Sequence, residues 1–121
     1  MPRNARNEGY SRRHRFAARG SFGPVLRGSR KIRGQFAVIH VAPGRIAVSR
    51  LGVALTRKLV ASSVDRNYVK RAMREAFRRH PVKHAGLDCV VMLRSRFEAA
   101  RAPALVAEVR ELLDQLAGAA G

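Results

Sequence analysis

Val64-Asp65-Arg66-Asn67-Tyr68-Val69-Lys70-Arg71-Ala72-Met73-Arg74-Glu75-Ala76-Phe77-Arg78-Arg79-His80 is the stretch around which the rest of the chain arranges itself. At about 100° per residue, Ala72, Met73, Ala76, Phe77 and His80 fall within roughly 80° of Val69 and make one apolar face. Asn67, Lys70, Arg71, Arg74 and Arg78 fall on the opposite side, with Arg66 at the border. Ser62, three residues before Asp65, reads as a capping-box-like start. The spacing predicts a helix from Val64 to His80 that lays one face on a core and turns a cationic ridge outward. Cations so placed repel one another in an isolated helix. Solvated faces ordinarily mix signs, yet here only Glu75 answers, from the flank. The ridge therefore reads as a surface for a polyanion.

Upstream of this helix, Gln35 to Ala42 alternates like a strand. Phe36, Val38 and His40 lie on one side, and Ala37, Ile39 and Val41 on the other. Pro43-Gly44 signals a turn, and Arg45 to Leu55 reads as a second strand in a hairpin with the first. Downstream, Leu87 to Leu93 is an apolar run short enough for a buried strand. Ala102 to Ala117 is a final helix with Pro103 in its first turn, where proline is tolerated. Leu105, Val109, Leu112, Leu113 and Leu116 form its apolar stripe, while Glu108, Glu111 and Asp114 lie off it and read as solvated. Phe16 to Leu26 reads as a short helix interrupted by Gly20 and Gly23-Pro24, with Phe22, Val25 and Leu26 sharing a face. Residues 1–15 are Arg-rich without periodicity, a flexible basic segment before a single domain over 16–117. The element order predicts an α/β (α+β) two-layer sandwich with a mixed sheet.

The charge balance narrows the function classes. There are 25 Lys and Arg against 8 Asp and Glu, a formal net charge of +17. Such a surplus destabilises a compact state by self-repulsion and points to nucleic acid, where each neutralised phosphate releases a counterion. Up to residue 60 the single acid is Glu8, so the N-terminal half is the most electropositive. Arg greatly outnumbers Lys, which suits phosphate forks and base stacking. No apolar run reaches membrane-spanning length, and the polar N-terminus does not read as a signal peptide. The expected location is cytoplasmic, without a membrane. One cysteine, Cys89, excludes an internal disulfide and sits in an apolar run, as a core residue would. His14, His40, His80 and His84 show no metal-ligand spacing, and Ser29, Ser49 and Ser95 have no nucleophile-elbow context. No catalytic group and no metal site is expected in the chain.

The central stretch resembles the signature of the bacterial ribonuclease P protein family. There an Arg-Asn-Arg element opens a helix and continues as Val-Lys-Arg, then Arg-Glu and usually Phe-Arg. This chain has Arg66-Asn67, Val69-Lys70-Arg71, Arg74-Glu75 and Phe77-Arg78. It departs at Tyr68, where the family usually has a third basic residue; stacking or a hydroxyl contact to RNA can substitute there. Arg50-Leu51-Gly52-Val53 with Arg57-Lys58, and Leu87-Asp88-Cys89-Val90-Val91, are similar to the family's strands either side of the helix. Phe22 with Val25-Leu26 and Arg27-Gly28, then Gly34-Gln35-Phe36, resembles its N-terminal region. Where the family often has Gly-Asn-Ala before the helix, this chain has Ala61-Ser62-Ser63.

The resemblance implies a fold like the second domain of ribosomal protein S5. It would have a roughly four-stranded mixed sheet, about three helices and an uncommon left-handed βαβ crossover. It further implies an accessory subunit of the ribonuclease P holoenzyme, an endoribonuclease that removes the 5′ leader of precursor tRNA. The catalyst would be the RNA subunit, which holds the Mg²⁺ ions that generate the attacking hydroxide. The partners implied are ribonuclease P RNA and precursor tRNA, with no obligate protein partner. Arg66, Asn67, Lys70, Arg71, Arg74 and Arg78 would meet the RNA subunit. Phe22 and Phe36, as platforms beside Arg27, Arg30, Lys31 and Arg33, would meet the single-stranded leader. The competing reading is a general RNA-binding module of ribosomal type, without a processing role.

Overall fold

The computed structural model describes Val25 and residues 30–120. Four strands and two long helices follow in chain order: β1 (Arg30–Arg33), β2 (Ala37–Pro43), β3 (Arg50–Ala54), α1 (Ser63–Arg78), β4 (Leu87–Leu93) and α2 (Ala102–Ala120). Short 3-10 turns at Pro81–His84 and Ala99–Arg101 lead into β4 and α2. The strand order across the sheet is β1-β2-β4-β3. β1 and β4 both pair antiparallel with β2, while β3 runs parallel to β4. The sheet is therefore mixed, and β3-α1-β4 is a βαβ crossover between adjacent strands. The helix expected over Phe16 to Leu26 lies outside the described residues except for Val25, which is helical and buried.

Both helices cover one face of the sheet. Ala37, Ile39 and Val41 of β2 and Cys89, Val91 and Leu93 of β4 alternate onto that face. They pack against Val69, Met73, Ala76 and Phe77 of α1 and the full predicted stripe of α2, from Leu105 to Leu116. Each of these side chains is under 10% exposed, so the core that anchors α1 is closed. β4 is apolar on both faces, Val90 being as fully buried as Cys89. A strand covered on both sides reads as a continuous apolar run, not an alternating one.

The hairpin expected between Gln35–Ala42 and Arg45–Leu55 does not form. β4 lies between those two strands, registering Ala37 with Leu93 through to Pro43 with Leu87. The physical reason is burial: the most apolar strand takes the centre, and β3, carrying Arg50 and Gly52, goes to the edge. Between β2 and β3 the chain turns at Ile46-Ala47 under a single Arg45–Val48 bridge, with Ala47 at φ 62°. β1 is a strand that periodicity does not reveal, because Arg-Lys-Ile-Arg carries three cations in four residues. Charge is a common way to protect an exposed sheet edge.

Candidate nucleic-acid interface

α1 begins where its cap dictates. Ser62 is extended (φ −82°, ψ 134°) and its hydroxyl accepts the Asp65 N–H at 3.3 Å. That satisfies one of the first-turn donors an open helix end leaves unpaired. From there Val69, Met73, Ala76 and Phe77 are buried, and Asn67, Arg71 and Arg74 are exposed on the far side. Lys70 is half-buried. Among the described residues, no side-chain hydrogen bond or ion pair engages Asn67, Lys70, Arg71 or Arg74.

The two ends of the ridge are occupied differently. Arg66 donates through one terminal nitrogen to the carbonyls of Val60 and Ala61, both at 2.9 Å, tying the loop before the helix to its first turn. Its remaining N–H groups are directed by that anchoring. Arg78 donates to Glu75 at 3.2 and 2.6 Å, and Arg79 donates to the same carboxylate. The bonds from Arg78 and then Arg79 hold the Glu75 carboxyl down at about 2. The open cationic ridge is thus narrower than the sequence pattern, with Lys70, Arg71 and Arg74 at its centre.

On the sheet face opposite the helices, the exposed cations of the edge strand β1 form a second basic surface. The register places Lys31 across from His40 and Arg33 across from Val38, next to Val90 and Met92 of β4. Burial, then the charges of Lys31 and Arg33, push the His40 pKa down. Arg30 lies on the other side of β1, in register with Val41. Phe22 and Arg27 lie outside the described residues. Phe36 packs against the helix-side core and lines a recess with Phe97 and Leu105.

Two acids read as solvated make tertiary contacts instead. The Glu108 carboxylate accepts the backbone N–H groups of Gln35, Phe36 and Ala37 at 2.6, 2.8 and 2.8 Å. A Cβ at Gly34 would overlap the Glu108 carboxylate, so a larger residue there would push it off these N–H groups. On the wheel Glu108 falls about 60° from Leu105, at the stripe's border, which is the signal that sets it apart from Glu111. Asp114 accepts from His80 Nε2 at 2.6 Å, while His80 Nδ1 accepts the Val82 N–H at 3.0 Å. That tautomer clips the end of α1 to α2.

The other polar side chains of the interior are structural. Arg50 pairs with Asp88 at 2.9 and 2.7 Å. The buried Ser49 hydroxyl donates to Val82 O at 2.6 Å and accepts the Leu87 N–H at 3.0 Å. Burial, then the Asp88 charge, push the Cys89 thiol up to about 12, which keeps it protonated and inert. Among the described residues no group of His, Cys, Asp and Glu is arranged to hold a metal ion, and no helix is long and apolar enough to cross a membrane.

Comparison with known proteins agrees with this architecture. The Ribonuclease P family model matches residues 10–117. A ribonuclease P protein component of Azoarcus sp. is 32% identical over 103 residues, spanning 85% of this chain and 86% of the relative. That of Methylococcus capsulatus is 36% identical over 87 residues, 72% of this chain and 68% of the relative. That of Burkholderia mallei is 47% identical over 90 residues, 66% and 65% respectively. The RNase P protein from Thermotoga maritima superposes with a TM-score of 0.65 at 28% identity, covering 84% of this chain and 93% of that one. The Staphylococcus aureus RNase P protein shares the fold, with a TM-score of 0.66 at 23% identity over 88% and 94%. On the family match and these relatives, the chain belongs to the ribonuclease P protein family.

Proposed function

We propose that this chain is the protein subunit of ribonuclease P, binding the catalytic RNA and the 5′ leader of precursor tRNA in the cytoplasm. The observation that carries this reading is the centre of α1, in a chain of this family. Lys70, Arg71 and Arg74 form a cationic ridge without protein partners among the described residues, on a helix anchored by Val69, Met73, Ala76 and Phe77.

An anchored helix fixes its cations before the RNA arrives. Less side-chain and backbone freedom is then lost on binding, and the ridge acts as a preorganised phosphate reader. Asn67 adds a donor and an acceptor for backbone or base edges, and Arg66 and Arg78 border the contact. The basic sheet face with Lys31 and Arg33 takes the leader, with Arg30 on the same strand. Phosphodiester hydrolysis is the work of Mg²⁺ held by the RNA subunit. The protein's contribution is to neutralise phosphates where substrate and RNA come together, so that less Mg²⁺ is needed to hold them.

The test is a processing assay. Mixed with ribonuclease P RNA and precursor tRNA at low Mg²⁺, the chain is expected to raise the rate of 5′ leader removal well above that of the RNA alone. Binding to both RNAs without any gain in processing would instead identify a general RNA-binding module.

A further inference from the structure

The recess beside Phe36 belongs neither to the α1 ridge nor to the basic sheet face. It is a shallow, open depression with apolar walls from Phe36, Leu93, Phe97 and Leu105. Arg96 and Arg101 stand at its rim. Arg96 is exposed and makes no bond to another described residue. Arg101 shares only a solvent-exposed pair with Glu98, at 3.3 Å, of the kind that contributes little and yields readily to another anion.

The recess is continuous with α1. Tyr68 packs its ring against Phe97, with centroids 6.3 Å apart and planes tilted by 41°. The Phe97 N–H donates to Leu59 O at 2.9 Å, tying the recess to the loop that carries Arg57 and Lys58. Tyr68 is also the position where this chain replaces the family's usual third cation. An aromatic side chain therefore links the RNA-facing helix to an aromatic recess with a cationic rim.

We propose that this recess binds one unpaired nucleotide of RNA, its base against Phe36 and Phe97 and its phosphate on Arg96 and Arg101. The proposal rests on the RNA-binding reading above. Flat aromatic walls suit a base of any identity, because every base has a π-face, and rim arginines suit the backbone. An acidic peptide would satisfy the rim but leave the walls unfilled.

The probe is a single-stranded hexauridylate carrying one 4-thiouridine, irradiated with the full-length chain and mapped by mass spectrometry. A cross-link in the peptides holding Phe36 or Phe97 is expected. Phe97→Leu, which keeps apolar packing but removes the aromatic face, is expected to reduce that cross-link about tenfold. Arg96→Gln is expected to lower the slope of log affinity against log salt by about 0.7, one single-strand phosphate. Arg96 is exposed and its replacement does not touch the core, so this arm decides even if Phe97→Leu misfolds.

Cross-links confined to other surfaces would overturn the proposal, as would affinity and slope unchanged in Arg96→Gln or equal competition by hexa-aspartate. If those results came with normal stimulation of processing, the subunit reading would stand and this one alone would fall. Absence of RNA binding by the unaltered chain would overturn both.

Discussion

Glu108 holds three consecutive backbone N–H groups that lie 71 to 73 residues away in sequence. Through them it fixes the turn between β1 and β2, the same turn that Arg94 grips by donating to Gly34 O. Hydrogen bonds to a charged group contribute roughly 1.5–3 kcal/mol each when buried. These are part-buried to exposed, and the Gln35 amide regains water when the carboxylate goes. Glu108→Ala is accordingly expected to cost about 2 kcal/mol in urea denaturation, and Glu108→Gln less, since one oxygen acceptor survives. A loss under about 0.5 kcal/mol for the alanine variant would show that the turn holds itself. Sequence periodicity identifies Glu108 as a border residue of its helix, but not what it meets, because the contact is set by how α2 lies over β2. Arg66 illustrates the same limit. Its place at the edge of the ridge follows from the wheel, and its engagement with Val60 and Ala61 does not.

At the scale of elements, α1 and α2 follow from pattern alone, because amphipathic stripes of this length admit one buried face each. The apolar and cationic faces of α1 and the five-residue stripe of α2 are where the periodicity puts them. The strands divide differently. β4 is legible as an apolar run, but its central place is a consequence of burial on both faces, which no local turn signal reports. The chain does reverse between β2 and β3, at Ile46-Ala47 and not at Pro43-Gly44, yet β2 finds β4 as its neighbour and β3 is displaced to the edge. β1 escapes notice because its cations mask any alternation. The start of α1 makes a prediction at this scale. Replacing Ser62 with Ala removes the acceptor for the Asp65 N–H and should cost about 0.5–1 kcal/mol, the lower part of the range for a cap because the bond is long. Hydrogen exchange at Asp65 should quicken while exchange at Phe77, deep in the helix, tracks only the global change. Equal acceleration along the whole helix would mean that the cap acts on the fold as a unit.

At the scale of the whole molecule, a formal charge of +17 on 121 residues is tolerable because the cations are spread away from a closed core. Carboxylates on the described surface are largely spent inside the protein: Glu75 on Arg78 and Arg79, Asp88 on Arg50, Glu108 on backbone, Asp114 on His80. This leaves the α1 ridge, the rim of the aromatic recess and the β1 face as positive surfaces arranged around one scaffold. The separation is what the proposed binding of a large folded RNA and a single strand at once would require. Composition makes the polyanion partner legible, and the family pattern makes the RNA legible. The placing of the basic surfaces on separate parts of the scaffold comes from topology.

The most direct test of the account is a titration of ribonuclease P RNA with the unaltered chain and with the double variant Arg71→Ala, Arg74→Ala across a range of salt. Both side chains are exposed and outside the core, so thermal stability should be unchanged. The predicted result is affinity at least tenfold weaker, with the log–log salt slope shallower by roughly 1.8, the equivalent of two phosphate contacts. Equal affinity and an equal slope for the two proteins would contradict the claim that the ridge of α1 grips the RNA.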